Sequence, residues 1–290
     1  MDKTPFSRLI AGTMTWGVWG KDLTKIQMTE RIEACVAHKI TAFDHADIYG
    51  DYTTEAAFGK AFRESQVARS DVQFISKCGI QLPLATRGNT IKHYTYAANY
   101  MIASVEQSLR NLQTEYLDLL LLHRPSPLLQ VEEVATAVNK LTREGKIVEV
   151  GLSNFDPAQT ALLQTVIDVR YNQIEFSLTA YEAMINGHLS YMQVHTITPM
   201  CWSPLGTVFS KNDPRSQRVA TLAQQLADTY TVSVEVILLA WIIKHPAGIL
   251  PVFGSTNLQR IANLYQATTL ELTEQDWFAL WTASAGTAVP

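Results

Sequence analysis

A chain of 290 residues, 47% apolar and 17% charged, holds enough apolar material for a sizeable core and argues against disorder. A formal net charge of −4, with Lys and Arg scattered along the chain, provides no basic field for nucleic acid. Cys35, Cys78 and Cys201 are far apart and belong to no CxxC or Cys/His cluster, so neither a disulfide framework nor a metal site is expected.

The opening stretch, MDKTPFSRLIAG, lacks the apolar centre of a signal peptide. The longest apolar runs, LDLLLLH and VILLAWII, are too short to span a bilayer. A cytoplasmic protein with no membrane partner is the expectation.

In chain order, short apolar runs at 9–13, 42–44, 72–77, 117–123, 147–151, 171–174, 199–202 and 249–252 read as strands. Amphipathic stretches lie between them. In VEEVATAVNKLTREGK, residues Val131, Val134, Ala135, Val138 and Leu141 fall on one helical face, and Gly145 follows as a helix stop. Asp156 followed by Pro157 reads as an N-cap with proline at the first helical position. Asn257 can cap the helix LQRIANLYQA, and Thr273 opens a final helix with an acidic first turn.

Eight strands alternating with helices predict a closed parallel (β/α)8 TIM barrel, with residues 1–290 as one domain. LDLLLL and ILPVF are apolar almost throughout, as strands covered on both faces must be. The competing doubly wound sheet carries GxGxxG after its first strand, and neither that nor GxxxxGK occurs here. The segment 79–96 lacks periodicity, and a loop that long in a compact domain is more often functional than idle.

In such a barrel the chemistry sits where strands end. Asp44 ends the second strand, with Tyr49 five residues on, Lys77 ends the third and His123 the fourth. Ser153 and Asn154 end the fifth, Gln173 falls in the sixth, and WSPLG and FGSTN follow the seventh and eighth. Each residue alone has an ordinary structural reading: turn, cap, solvated end or core histidine. Four ionisable groups on three consecutive strand ends make a polar site the better reading.

These residues resemble the aldo-keto reductase family, in its bacterial general-oxidoreductase subgroup. FDHADIYG, FISKCG, LLLLHRP, VGLSNF, YNQIEFS, WSPLG and PVFGSTNLQRI occur in the family's order from about Leu9 to about Ala267. The resemblance implies NADPH-dependent reduction of an aldehyde or ketone without metal. It implies Tyr49 as general acid, Lys77 paired with Asp44 to lower the phenol's pKa, and His123 to orient the carbonyl. The chemistry agrees: a phenol ionises near pH ~10, and a neighbouring ammonium favours the phenolate.

The same resemblance assigns the nicotinamide carboxamide to Ser153, Asn154 and Gln173, and ring stacking to Trp202. It assigns the rest of the nucleotide to Gly12, Thr13, Met14, Ser203, Leu205, Gly206, Lys211, Gly254 and Ser255, and the 2′-phosphate to Arg260. Many members carry Lys where this chain has Gly254, so NADH stays open as a cofactor. Met14 and the substrate-pocket candidates Trp16, Tyr52 and Tyr94 suggest an aromatic mouth. Arg124 has two readings, an acidic substrate group or, favoured at this point, a structural salt bridge. The alternative function is a nucleotide-binding regulatory subunit on the same barrel, with slow or vestigial reductase activity. An aldolase using Lys77 as a Schiff base is a third reading, opposed by the Asp44 and Tyr49 neighbours.

Overall fold

A computed structural model describes residues 5–289. Eight parallel strands close into a barrel: β1 (Ile10–Gly12), β2 (Ala42–Asp44), β3 (Gln73–Cys78), β4 (Leu117–Leu122), β5 (Ile147–Ser153), β6 (Val169–Glu175), β7 (Thr198–Trp202) and β8 (Leu250–Phe253). Each strand pairs with its sequence neighbour, and β1 closes the ring on β8. The strands occur at the eight positions expected from the sequence, with ends shifted by up to two residues.

Outside the ring run α1 (Lys25–Ala37), α2 (Thr54–Glu64), α3 (Ala98–Leu112), α4 (Val131–Arg143), α5 (Pro157–Gln164), α6 (His188–Val194), α7 (Pro214–Tyr230), α8 (Val234–Lys244), α9 (Leu258–Leu264) and α10 (Glu274–Ala285). The expected caps form. Asp156 and Gln159 make a reciprocal capping box, and Asn257 and Thr273 accept from the backbone N–H groups of Arg260 and Asp276. Thr24 and Asp213 cap α1 and α7 in the same way. The apolar run in α8 is a core helix, buried from Val236 to Ile242. Among the described residues no single helix is long and apolar enough to cross a membrane.

Strand alternation sorts the core into two layers. Ile10, Ala42, Ile75, Leu119, Leu121, Tyr171, Met200, Leu250 and Val252 fill the barrel, and Phe6 packs edge-on to Tyr171 among them. Their neighbours on the strands, such as Ala11, Phe43, Phe74, Leu120 and Leu122, face the helices. The same period of two carries the interior upward. Two residues beyond Ala42, Ile75, Leu121 and Tyr171 stand Asp44, Lys77, His123 and Gln173. The polar residues are therefore the next inward-facing layer of the barrel, at the C-terminal rim.

The segment between β3 and α3 is partly ordered by a short antiparallel pair, Ile80–Gln81 against His93–Tyr94. Gly79 sits at φ +119°, and a Cβ there would meet the Tyr96 ring at 2.4 Å, so the strand exit requires glycine. The Tyr96 hydroxyl donates to the Arg124 carbonyl and accepts from the Arg124 N–H, tying the loop to the end of β4.

Candidate active site

Lys77 is the hub of the rim. Its ammonium donates to Asp44 Oδ2 at 2.7 Å, to the His45 carbonyl at 2.7 Å and to the Tyr49 hydroxyl at 3.1 Å. Asp44 Oδ1 accepts from Gln173 Nε2 at 2.8 Å, so both carboxylate oxygens are occupied. The pair is fully enclosed, with side-chain exposure of 1% for Lys77 and 3% for Asp44. Burial of that depth is tolerated only where every charge finds a partner. Tyr49 lies edge-on to the His123 ring, with centroids 6.1 Å apart.

Burial and the charges gathered at the rim set the protonation states. Burial opposes charge on Lys77, but Asp44 and Tyr49 together outweigh it and hold the ammonium above its ordinary value. Burial pushes the Tyr49 phenol up; Lys77 pulls it down but does not offset the burial. Lys77 acts in the expected direction on this phenol, and burial, together with the charge of Asp44, leaves it above its ordinary value. Burial, reinforced by Lys77, Arg124 and Lys92, keeps His123 well below its usual value, so the imidazole is neutral.

These groups open onto a cleft of 460 Å3. Of the sequence candidates it brings together Gly12, Met14, Asp44, Tyr49, His123, Arg124, Ser153, Asn154, Gln173, Trp202, Ser203 and Gly254. Trp202 Nε1 donates to Asn154 Oδ1 at 2.9 Å, and Asn154 Nδ2 donates to Ser153 Oγ at 2.8 Å, which orients the indole face. Asn154 and Ser203 adopt φ of +64° and +50°, left-handed backbone that side chains other than glycine rarely accept and that clusters at functional sites.

Several candidates stand elsewhere. Trp16 is 1% exposed and packs on Phe43 and Phe58, so it is core rather than pocket rim. Trp19, three residues on and stacked obliquely on Tyr49, takes the rim position instead. Tyr52 is withdrawn because its hydroxyl is engaged by the Leu82 N–H and the Ile80 carbonyl while Arg87 covers its ring. Tyr94 pairs with Ile80 in the short antiparallel ladder and faces a different cavity. Thr13 is buried, its hydroxyl held by the Asp44 carbonyl and His45 Nδ1. Leu205 packs on the core, and Gly206 is pressed against Thr179, which a Cβ would meet at 2.0 Å. Lys211, Ser255 and Arg260 lie outside the cleft wall, and Arg260 pairs with Glu235 at 2.9 Å.

Ile80, Leu82 and Lys92, from the 79–96 segment expected to be functional, line the cleft, as does Ile48, which the sequence reading did not single out. That reading missed a second cavity of 380 Å3, lined by Asp47, Glu55, Tyr100, Ser104, Ser108 and Asn111. Asp47 Oδ2 accepts from Tyr100 and Ser104 while Oδ1 is buried without a partner. Burial and the facing Glu55 raise its carboxyl to about 7. Asp47 sits in the quoted FDHADIYG stretch, but nothing local signals a buried carboxylate there.

The barrel, its rim triad and its cleft define the class: the chain belongs to the aldo/keto reductase family, whose model matches residues 8–284. Over 98% of this chain and 96% of that protein it is 39% identical to an uncharacterized oxidoreductase of Bacillus subtilis. It is 38% identical to a 6-dehydroglucose reductase of Agrobacterium fabrum, over 99% of this chain and 97% of that one. A solved aldo/keto reductase of Klebsiella pneumoniae in complex with NADP and acetate superposes with a TM-score of 0.78 at 27% identity, covering 93% of this chain and 89% of that one.

Proposed function

We propose that this protein reduces aldehydes or ketones to alcohols with NADPH, with Tyr49 as the proton donor. The observation that carries the reading is the chain of contacts from the Tyr49 hydroxyl through Lys77 Nζ to Asp44, opening onto a cleft. The relative named 6-dehydroglucose reductase and the neighbour solved with NADP support carbonyl reduction and the choice of cofactor.

The cleft fits a nicotinamide nucleotide. Asn154 keeps a second amide proton and Gln173 keeps its carbonyl oxygen, enough to satisfy a carboxamide, and the Trp202 face offers a flat apolar platform. A Cβ on Gly254 would point into open space, so a phosphate can approach that backbone closely. The nicotinamide, when bound, supplies the hydride that goes to the carbonyl carbon.

The chain's own residues handle the oxygen. A phenol held above its ordinary pKa stays protonated at neutral pH, ready to give its proton to the oxygen that gains charge. Lys77 then stabilises the phenolate left behind, and Asp44 keeps Lys77 charged. Neutral His123 offers a second hydrogen-bonding contact without a charge that would compete for the proton. Trp19, Ile48, Ile80 and Leu82 give the cleft an apolar wall beside the reacting atoms.

Tyr49→Phe tests this reading. It removes one hydroxyl and should lower kcat for aldehydes by about 10²–10⁴-fold. NADPH binding, followed by quenching of tryptophan fluorescence, should be nearly intact. Turnover equal to wild type would remove Tyr49 from the mechanism.

A further inference from the structure

We propose that the cleft selects carbonyl substrates bearing an anionic group, which Lys92 and Arg124 hold at the wall of β3 and β4; the inference rests on the reductase reading above. Both side chains line the cleft together with Tyr49 and His123. Neither has a carboxylate within ion-pairing distance among the described residues, so the structural salt bridge favoured for Arg124 from sequence does not form. The guanidinium instead lies 5.7 Å from the Trp202 ring centroid. Asp44, the carboxylate in the cleft wall, is already neutralised by Lys77. A chain with net charge −4 therefore presents two cations without an ion-pair partner on the wall of its reactive cleft, Lys92 exposed and Arg124 partly buried.

The two cations are carried by strand ends opposite those assigned to the nucleotide's phosphates, and the Arg124 guanidinium reaches across the cleft toward Trp202 at the end of β7. Arg124 follows β4, and Lys92 belongs to the loop after β3. Ser203, Pro204 and Gly254 follow β7 and β8. In the closed strand order, β3 and β4 stand across the barrel from β7 and β8. Apolar Ile80 and Leu82 come from the same loop as Lys92. A ligand spanning this wall would carry its carbonyl near Tyr49 and its negative group beside the two cations.

Arg124 is also pre-positioned. Tyr96 bonds both the carbonyl and the N–H of Arg124, so its backbone is fixed before any ligand arrives. A guanidinium and an ammonium together suit carboxylate, phosphate or sulfonate, the guanidinium by two parallel bonds and the ammonium as a point charge. The fields of both cations reach His123, which places them close to the reacting carbonyl.

The test compares kcat/KM within two pairs of probes, 4-carboxybenzaldehyde against benzaldehyde and glyceraldehyde 3-phosphate against glyceraldehyde, with NADPH as reductant. For wild type the anionic member of at least one pair should be favoured by about 10- to 100-fold, mainly through KM. Whichever pair shows the larger ratio separates carboxylate from phosphate as the preferred source. The ratio should fall toward one in a Lys92→Gln/Arg124→Gln variant, and in wild type as ionic strength rises. A purely structural role for Arg124 would lower both members of a pair alike and leave the salt dependence of the ratio flat. A wild-type ratio near one in both pairs, or a ratio the double substitution leaves unchanged, overturns the inference while turnover of the neutral aldehydes leaves the reductase reading standing. No turnover of any of the four defeats the reductase reading itself.

Discussion

Replacing Lys77 with Met keeps the length of the side chain and removes its charge. Asp44 then retains Gln173 on Oδ1 but loses its partner on Oδ2, in a site where its side chain is 3% exposed. The His45 carbonyl and the Tyr49 hydroxyl lose the same donor. Removing one member of a buried ion pair costs about 3–5 kcal/mol, because the other charge is stranded without water. Asp44→Asn in the Lys77→Met background abolishes the stranded charge and should recover about 2–3 kcal/mol of that loss, a clear departure from additivity.

Urea unfolding followed by both tryptophan fluorescence and far-UV circular dichroism measures these differences, with coincident transitions licensing the comparison. The reasoning fails if Lys77→Met costs under about 1 kcal/mol. It also fails if Asp44→Asn has the same effect in both backgrounds.

Two further outcomes follow from groups outside this triad. Burial and Glu55 raise Asp47 to about 7, so folding favours its protonated form. That contribution is complete below the unfolded value near pH ~4 and is lost as pH rises through 7, on the order of 2–3 kcal/mol between pH 5 and 8. Asp47→Asn should flatten the pH dependence by that amount, and a curve parallel to wild type would show that Asp47 keeps an ordinary pKa. Arg260 has its guanidinium half exposed beside Glu235, at the first turn of the helix that follows β8. If it contacts the 2′-phosphate, Arg260→Ala should raise the Kd for NADPH about 10- to 100-fold and leave NADH unchanged. Titrations in which both nucleotides weaken alike would assign that phosphate to another group.

The barrel and most of the rim were legible in the chain itself. A strand turns alternate residues to opposite faces, so Asp44 after Ala42, Lys77 after Ile75, His123 after Leu121 and Gln173 after Tyr171 must point where the core residues point. Helix caps are equally local, which is why Asp156, Asn257 and Thr273 stand where the sequence expects them. Loops have no such period, so nothing near Trp16 and Trp19 distinguishes the core residue from the one at the cleft.

Net pKa directions escape a local reading for a related reason. Lys77 lowers the Tyr49 phenol as its neighbourhood predicts, but the depth of burial is a sum over the whole fold and, with Asp44, it leaves the net direction upward. Only the folded chain decides that Asp47 and Glu55 share a cavity and that Arg124 meets no carboxylate. Those facts depend on which distant segments close over a side chain. The sequence by itself determined which way the strand residues face, because that follows from backbone geometry over two residues. Tertiary structure alone decided how much water and which opposite charges each group retains.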